Sequence, residues 1–120
     1  FQSDLLDKIL DGSFNILVEN LPYIGEVENH FIAENVRKYE PSVALFGGID
    51  GLDLYRKMFD QILSGNMKFD YILGEIGFCH GQKMQEIGKE KFPLSDLSIK
   101  QDLNGLDRHF IISQTCLKID

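Results

Sequence analysis

Four consecutive residues, Asn20-Leu21-Pro22-Tyr23, could orient a nitrogen atom for attack on an electrophile. An amide nitrogen is a poor nucleophile, so a catalyst acting on it must hold it in line with its target, and positioning is the main task. An asparagine just past a strand end can accept one N–H of such a group through its side-chain oxygen. The next backbone carbonyl, that of Leu21, can accept the other, and both stabilise the positive charge that develops on the attacking nitrogen. Pro22 drives Leu21 toward an extended conformation and helps to aim its carbonyl outward. Tyr23 offers a ring face for a planar amide or base, with its hydroxyl free for a polar contact. A strong base is not required, because the nitrogen becomes acidic once alkylated. Taken alone, the tetrapeptide reads more simply as a turn closing a strand, where Asn and Pro are common.

The elements around it must supply that strand. The run Phe14 to Val18 lies between Asp11-Gly12-Ser13 and Asn20 with Pro22, and reads as a buried parallel strand ending in a loop. Residues 25–39 are polar, with Val27, Phe31, Ile32 and Val36 at loose helical spacing, and are expected to form a flap with a weak helix. A stronger helix is expected from Asp50, with Asp53 three residues on, carrying Leu52, Tyr55, Phe59, Ile62 and Leu63 on one face until Gly65. Lys68 to Ile76 reads as the next central strand, and Gly81 to Glu90 as a second helix stopped before Pro93. Two further strand-like runs, Leu97 to Gln101 and His109 to Ser113, flank Asn104-Gly105, a hairpin signal.

Downstream of the loop, the block from Glu40 through Gly47-Gly48-Ile49-Asp50-Gly51 to Tyr55 is far more specific. It resembles the segment following the catalytic Asn-Pro-Pro-Tyr loop in HemK/PrmC-type glutamine methyltransferases, which modify the Gly-Gly-Gln loop of peptide-chain release factors. Asn20–Tyr23 is similar to that loop, with Leu21 where proline is expected. Leucine keeps the acceptor carbonyl but changes rigidity and adds an N–H that needs a partner if buried. Gln2-Ser3-Asp4-Leu5, Glu75-Ile76-Gly77, Gly81, Asp102, Gly105, Asp107 and Arg108 follow in an order similar to the family's. Ser64-Gly65-Asn66-Met67 departs from it by replacing a longer turn.

The resemblance implies an α/β fold, the carboxyl-terminal half of a Rossmann-like methyltransferase sheet, with parallel strands and a final antiparallel hairpin strand. It implies S-adenosylmethionine as methyl donor in the intact enzyme and a release factor as protein partner. Catalytic roles fall on Asn20, Leu21, Pro22 and Tyr23; these also bind substrate, together with Glu40 and Pro41, which would brace the loop. Leu5 would lie near the cofactor's adenine and Asn20 near the transferring methyl. No glycine-rich cofactor loop occurs in the chain, so one partial domain over residues 1–120, inactive by itself, is the expectation. Such a half-sheet would expose a strand edge and an apolar face, predicting a dimer, strand exchange or poor solubility. The same loop chemistry also suits an adenine amine flipped onto Tyr23 or another protein amide. A docking module without catalysis is the reading from a different class.

Composition sets bounds on these readings. With 120 residues and 43% hydrophobic content, the chain can bury one core. A net charge of −7 argues against a phosphate-tracking surface, so direct nucleic-acid binding is not expected. Cys79 and Cys116, like His30, His80 and His109, lack metal-ligand spacing, and no metal site is expected. Asp107 and Arg108 read as a surface ion pair or turn element. No apolar run nears the roughly 18 residues that a membrane span needs, and a cytoplasmic location is the simplest expectation.

Overall fold

The computed structural model describes residues 2–9, 11–25 and 47–114. Apart from Gly25, the expected flap lies outside them, as do His30, Glu40, Pro41 and Cys116. The elements run β1 (Asp11–Glu19), α1 (Asp53–Ser64), β2 (Asn66–Glu75), α2 (Gly81–Lys91), β3 (Asp96–Gln101) and β4 (Asp107–Ser113). They form one sheet of strand order β1-β2-β4-β3. β1 and β2 are parallel, while β4 folds back between β2 and β3 and is antiparallel to both. The α/β class and the antiparallel hairpin strand therefore hold as expected. No helix among the described residues is long and apolar enough to cross a membrane.

The core lies between the sheet and its two helices. α1 buries Tyr55, Met58, Phe59 and Ile62, the spacing of one helical face. The Phe110 ring meets Tyr55 at 5.7 Å and Phe59 at 6.1 Å, both edge to face. Leu63, expected on this face, is 51% exposed because it follows Ile62 by one position and turns away. α2 approaches the sheet closely at Gly88, where a Cβ would stand 2.2 Å from the Leu97 side chain.

α1 begins at Asp53, not at Asp50, and its N-cap position is Leu52 without a side-chain cap. Asp50 instead accepts the Leu52 N–H at 3.0 Å and grips Arg56 through both oxygens at 2.9 and 2.6 Å. The guanidinium holds the Asp50 carboxyl down at about 2. Gly65 closes the helix, its N–H donating to the Gln61 carbonyl. The Asn104-Gly105 hairpin forms with Gly105 at φ +77 and with Asp102 accepting the Asn104 and Leu106 N–H groups. Arg108 takes Asp102 as its ion partner at 3.4 Å, not its neighbour Asp107.

β1 departs from the expected buried strand. It is parallel to β2, but Phe14, Ile16 and Val18 are 42%, 54% and 72% exposed. Strand alternation puts these three on the face opposite Leu17 and Glu19. Phe14 stacks on Phe69 at 5.4 Å there. For the 120-residue chain, Phe59→Ala should cost about 3–5 kcal/mol, whereas Val18→Lys should stay within about 1 kcal/mol. Urea unfolding checks both, and a larger loss at Val18 would mean that this face is covered.

Candidate active site

The Asn20–Tyr23 loop leaves the carboxyl end of β1 beside the end of β2, where the ladder closes with Glu19 opposite Gly74. Asn20 is exposed; Leu21, Pro22 and Tyr23 are half-buried. Asn20 stands at the rim of a hollow of about 440 Å³, lined also by Val18, Leu73, Lys100 and His109. The four consecutive residues expected to act together lie at this strand end, the first of them exposed.

Two tyrosines fix this site to Glu75, the last residue of β2. Tyr23 donates its hydroxyl to Glu75 Oε1 at 2.7 Å, and Tyr55 of α1 donates its own to the Glu75 main-chain oxygen. The Tyr23 hydroxyl, expected to be free, is therefore engaged. Burial and then the Glu75 bond push its ionisation up, so it stays a neutral donor. Burial likewise raises Tyr55. Sequence reading missed Tyr55 as an anchor, although it ends the glycine-containing block. It noted Glu75 only as part of a matching tripeptide.

That block braces the loop from the other side. Gly47 donates its N–H to the Ile24 carbonyl at 3.0 Å and accepts from the Asp53 N–H at 3.0 Å, joining the loop to the start of α1. A Cβ on Gly47 would stand 2.4 Å from the Pro22 carbonyl oxygen. Gly51, at φ +84, lies so close that a Cβ would stand 2.1 Å from the Tyr23 carbonyl. Only glycine meets both demands. The bracing assigned to Glu40 and Pro41 falls outside the described residues.

His80 belongs to this scaffold. Its Nδ1 accepts the Gly77 N–H at 3.1 Å in the turn that opens α2, and its ring meets Tyr23 edge-on at 6.4 Å. Its chain neighbour Cys79 is exposed. Leu5 lies in a turn at φ +57 that docks on α1, where Leu6 donates its N–H to Gln61 Oε1 at 2.9 Å and Gln61 donates to the Asp4 carbonyl. Leu5 and Leu6 pack into the core.

Glu19 also escaped the sequence reading, though an ionisable residue at an inward strand position is itself a signal. Both its carboxyl oxygens are buried and close no hydrogen bond. Burial pushes it from 4.5 up to about 8.

A mixed sheet with this strand order, helices against one face and an Asn-Leu-Pro-Tyr loop at a strand's carboxyl end together define part of a Rossmann-like methyltransferase domain. No protein-family profile matches the chain. It is 46% identical over 107 residues to a release factor glutamine methyltransferase of Lactococcus lactis, covering 89% of this chain and 39% of the relative. Proteins of the same name from Enterococcus faecalis and Bacillus subtilis are 34% and 32% identical, over 86% and 90% of this chain and 37% and 38% of their own lengths. Over most of its length the chain is similar to these release factor glutamine methyltransferases, and it spans about two fifths of the length of these curated relatives.

Glu19 gives the site a measurable signature. A carboxyl that ionises at 4.5 when exposed and at about 8 here keeps a proton in the folded chain that the unfolded chain has lost. Stability should therefore fall by on the order of a few kcal/mol as pH rises through this window, then level off. Glu19→Gln should flatten the slope, as urea unfolding between pH 5 and pH 8.5 will show. An unchanged slope would assign the pH dependence to other groups. Separately, Gly51→Ala should destabilise by more than about 1 kcal/mol through its positive φ and the Tyr23 carbonyl.

Proposed function

We propose that this chain is the carboxyl-terminal part of a release factor glutamine methyltransferase, and that Asn20 and the Leu21 carbonyl orient the side-chain amide of the glutamine in a Gly-Gly-Gln loop. The observation that carries this reading is the exposed Asn20 at the carboxyl end of β1, followed by a loop pinned at Tyr23 and braced by Gly47 and Gly51. The shared name of the relatives gives the substrate class.

The Asn20 side-chain oxygen accepts one amide hydrogen and the Leu21 carbonyl the other, which presents the nitrogen lone pair in a single direction. Positive charge would grow on the nitrogen as it takes up the methyl group that the cofactor would supply. These two acceptors favour that charge more than the neutral amide. The extra proton then passes to water. Pro22 restricts the Leu21 carbonyl, and Tyr23, tied to Glu75, forms one wall of the site.

S-adenosylmethionine supplies the methyl as a sulfonium when bound. Asn20 is the described residue expected to lie near that group. Gly47 and Gly51 are packed against the loop's own carbonyls and leave no cradle for phosphate-like or sulfonium ligands. The 120-residue chain is therefore expected neither to bind the cofactor tightly nor to turn over alone. Its open sheet face and the outer edge of β1, which pairs with no described strand, favour self-association in isolation. A cytoplasmic setting accords with a release-factor substrate.

In the complete polypeptide, Asn20→Ala should lower methyl transfer to a release factor by about 10²–10³-fold while thermal unfolding stays unchanged. A full rate in that variant would remove Asn20 from the reaction. Transfer to an adenine-containing oligonucleotide in preference to the release factor would replace the substrate.

A further inference from the structure

The turn between β3 and β4 presents two leucine side chains to solvent. β3 ends at Gln101 and β4 begins at Asp107; between them Leu103 is fully exposed and Leu106 is exposed as well. Single apolar residues on a surface are ordinary, but these two share one short turn whose closure does not use their side chains. Asp102 closes it instead. Its N–H donates to the Leu106 carbonyl at 2.8 Å, its carbonyl accepts the Gly105 N–H at 3.0 Å, and its carboxyl takes the Asn104 and Leu106 N–H groups and Arg108. The leucines are thus held out from a turn fixed by its own backbone, at a place where polar residues would serve the fold equally well.

The turn belongs to the same end of the sheet as the Asn20–Tyr23 loop. β4 starts where β2 stops: His109 pairs with Glu75, and the Ile76 N–H donates to the Arg108 carbonyl at 2.8 Å. Glu75 is also the residue that holds the Tyr23 hydroxyl. A third exposed aliphatic residue, Ile49, stands on the glycine turn whose Gly47 and Gly51 abut the Pro22 and Tyr23 carbonyls. A protein that offers a glutamine loop to Asn20 needs more contact than four residues supply, since a stable protein–protein interface takes about 800 Å² from each partner. The surface bordering the loop has to provide the rest, and exposed aliphatic side chains lie there on both turns.

We propose that the Asp102–Leu106 turn is a docking element for the protein substrate, with Leu103 as its apolar anchor and Leu106 beside it, and that it meets the surface bordering the substrate's glutamine loop. The identity of that substrate rests on the function proposed above. A turn already fixed by Asp102 loses little freedom on binding, so burial of the leucines goes into affinity. The turn touches no reacting atom. It favours a glutamine carried by a folded protein over the same glutamine in a short peptide.

The test sets a release factor against a short Gly-Gly-Gln peptide, with the complete polypeptide as enzyme. Leu103→Ser combined with Leu106→Ser should weaken release-factor binding about tenfold or more in calorimetry. It should raise the KM for the release factor to a similar degree with little change in kcat, and the KM for the peptide far less. Thermal unfolding should stay unchanged. In the unaltered protein, the Leu103 and Leu106 methyl NMR signals should shift when release factor is added, a measurement that needs no variant to fold. Release-factor binding indifferent to the double substitution overturns the proposal, as does an equal loss on protein and peptide, or no binding by the unaltered protein. Leucine-dependent binding without methyl transfer supports the docking and sinks the functional reading alone. Methyl transfer to the release factor with unshifted leucine methyls sinks the docking alone.

Discussion

The convergence of two tyrosine hydroxyls on Glu75 is the contact on which this end of the molecule depends. One hydroxyl comes from the loop after β1 and takes the Glu75 carboxylate; the other comes from α1 and takes its main-chain oxygen. A loop, a helix and a strand end are thereby tied to a single residue. Because both hydroxyls are half- or fully buried, each bond also satisfies a group that would otherwise be costly to desolvate. The loop's position relative to the sheet follows from that anchor, and the glycine turn then fits against its outer side.

Glycine serves here as absence of volume. Gly47 and Gly51 let one backbone lie on another, and Gly74 lets a carboxyl lie over a strand. The last is the least expected, since a glycine inside a strand weakens pairing and gives nothing to pack. Its presence beside Glu19 is consistent with a space kept open for that side chain.

Much of the fold could be read from the chain by periodicity and punctuation. The helical spacing of Tyr55, Phe59 and Ile62, the stop at Gly65 and the Asn104-Gly105 turn each carried their own local physics. What escaped was decided by the tertiary arrangement. Leu63 and the β1 face are apolar yet exposed, because composition cannot say which side of a strand receives a helix. At the site, Asn20 to Tyr23 were legible as a unit, since spacing along four residues is preserved in any fold. Glu75, Tyr55 and Gly74 reach the loop across 52, 34 and 55 positions or so of chain, separations that only the sheet register reveals. Leu5 illustrates the converse: its apolar side chain answers to the core, and the turn docks where Gln61 receives it.

The threading of β4 between β2 and β3 bears on the order of assembly. β3 has no ladder with β2 and joins the sheet only through β4, although it precedes β4 in the chain. During synthesis, β1, α1 and β2 can pair as soon as they emerge, while β3 has no place in the sheet until β4 arrives. The β3–β4 hairpin closes locally and quickly, but its docking on β2 joins residues some forty positions apart, a slower, non-local step. Until then the inner edge of β2 stays unpaired, and that interval is when a nascent chain of this kind is most open to the wrong strand.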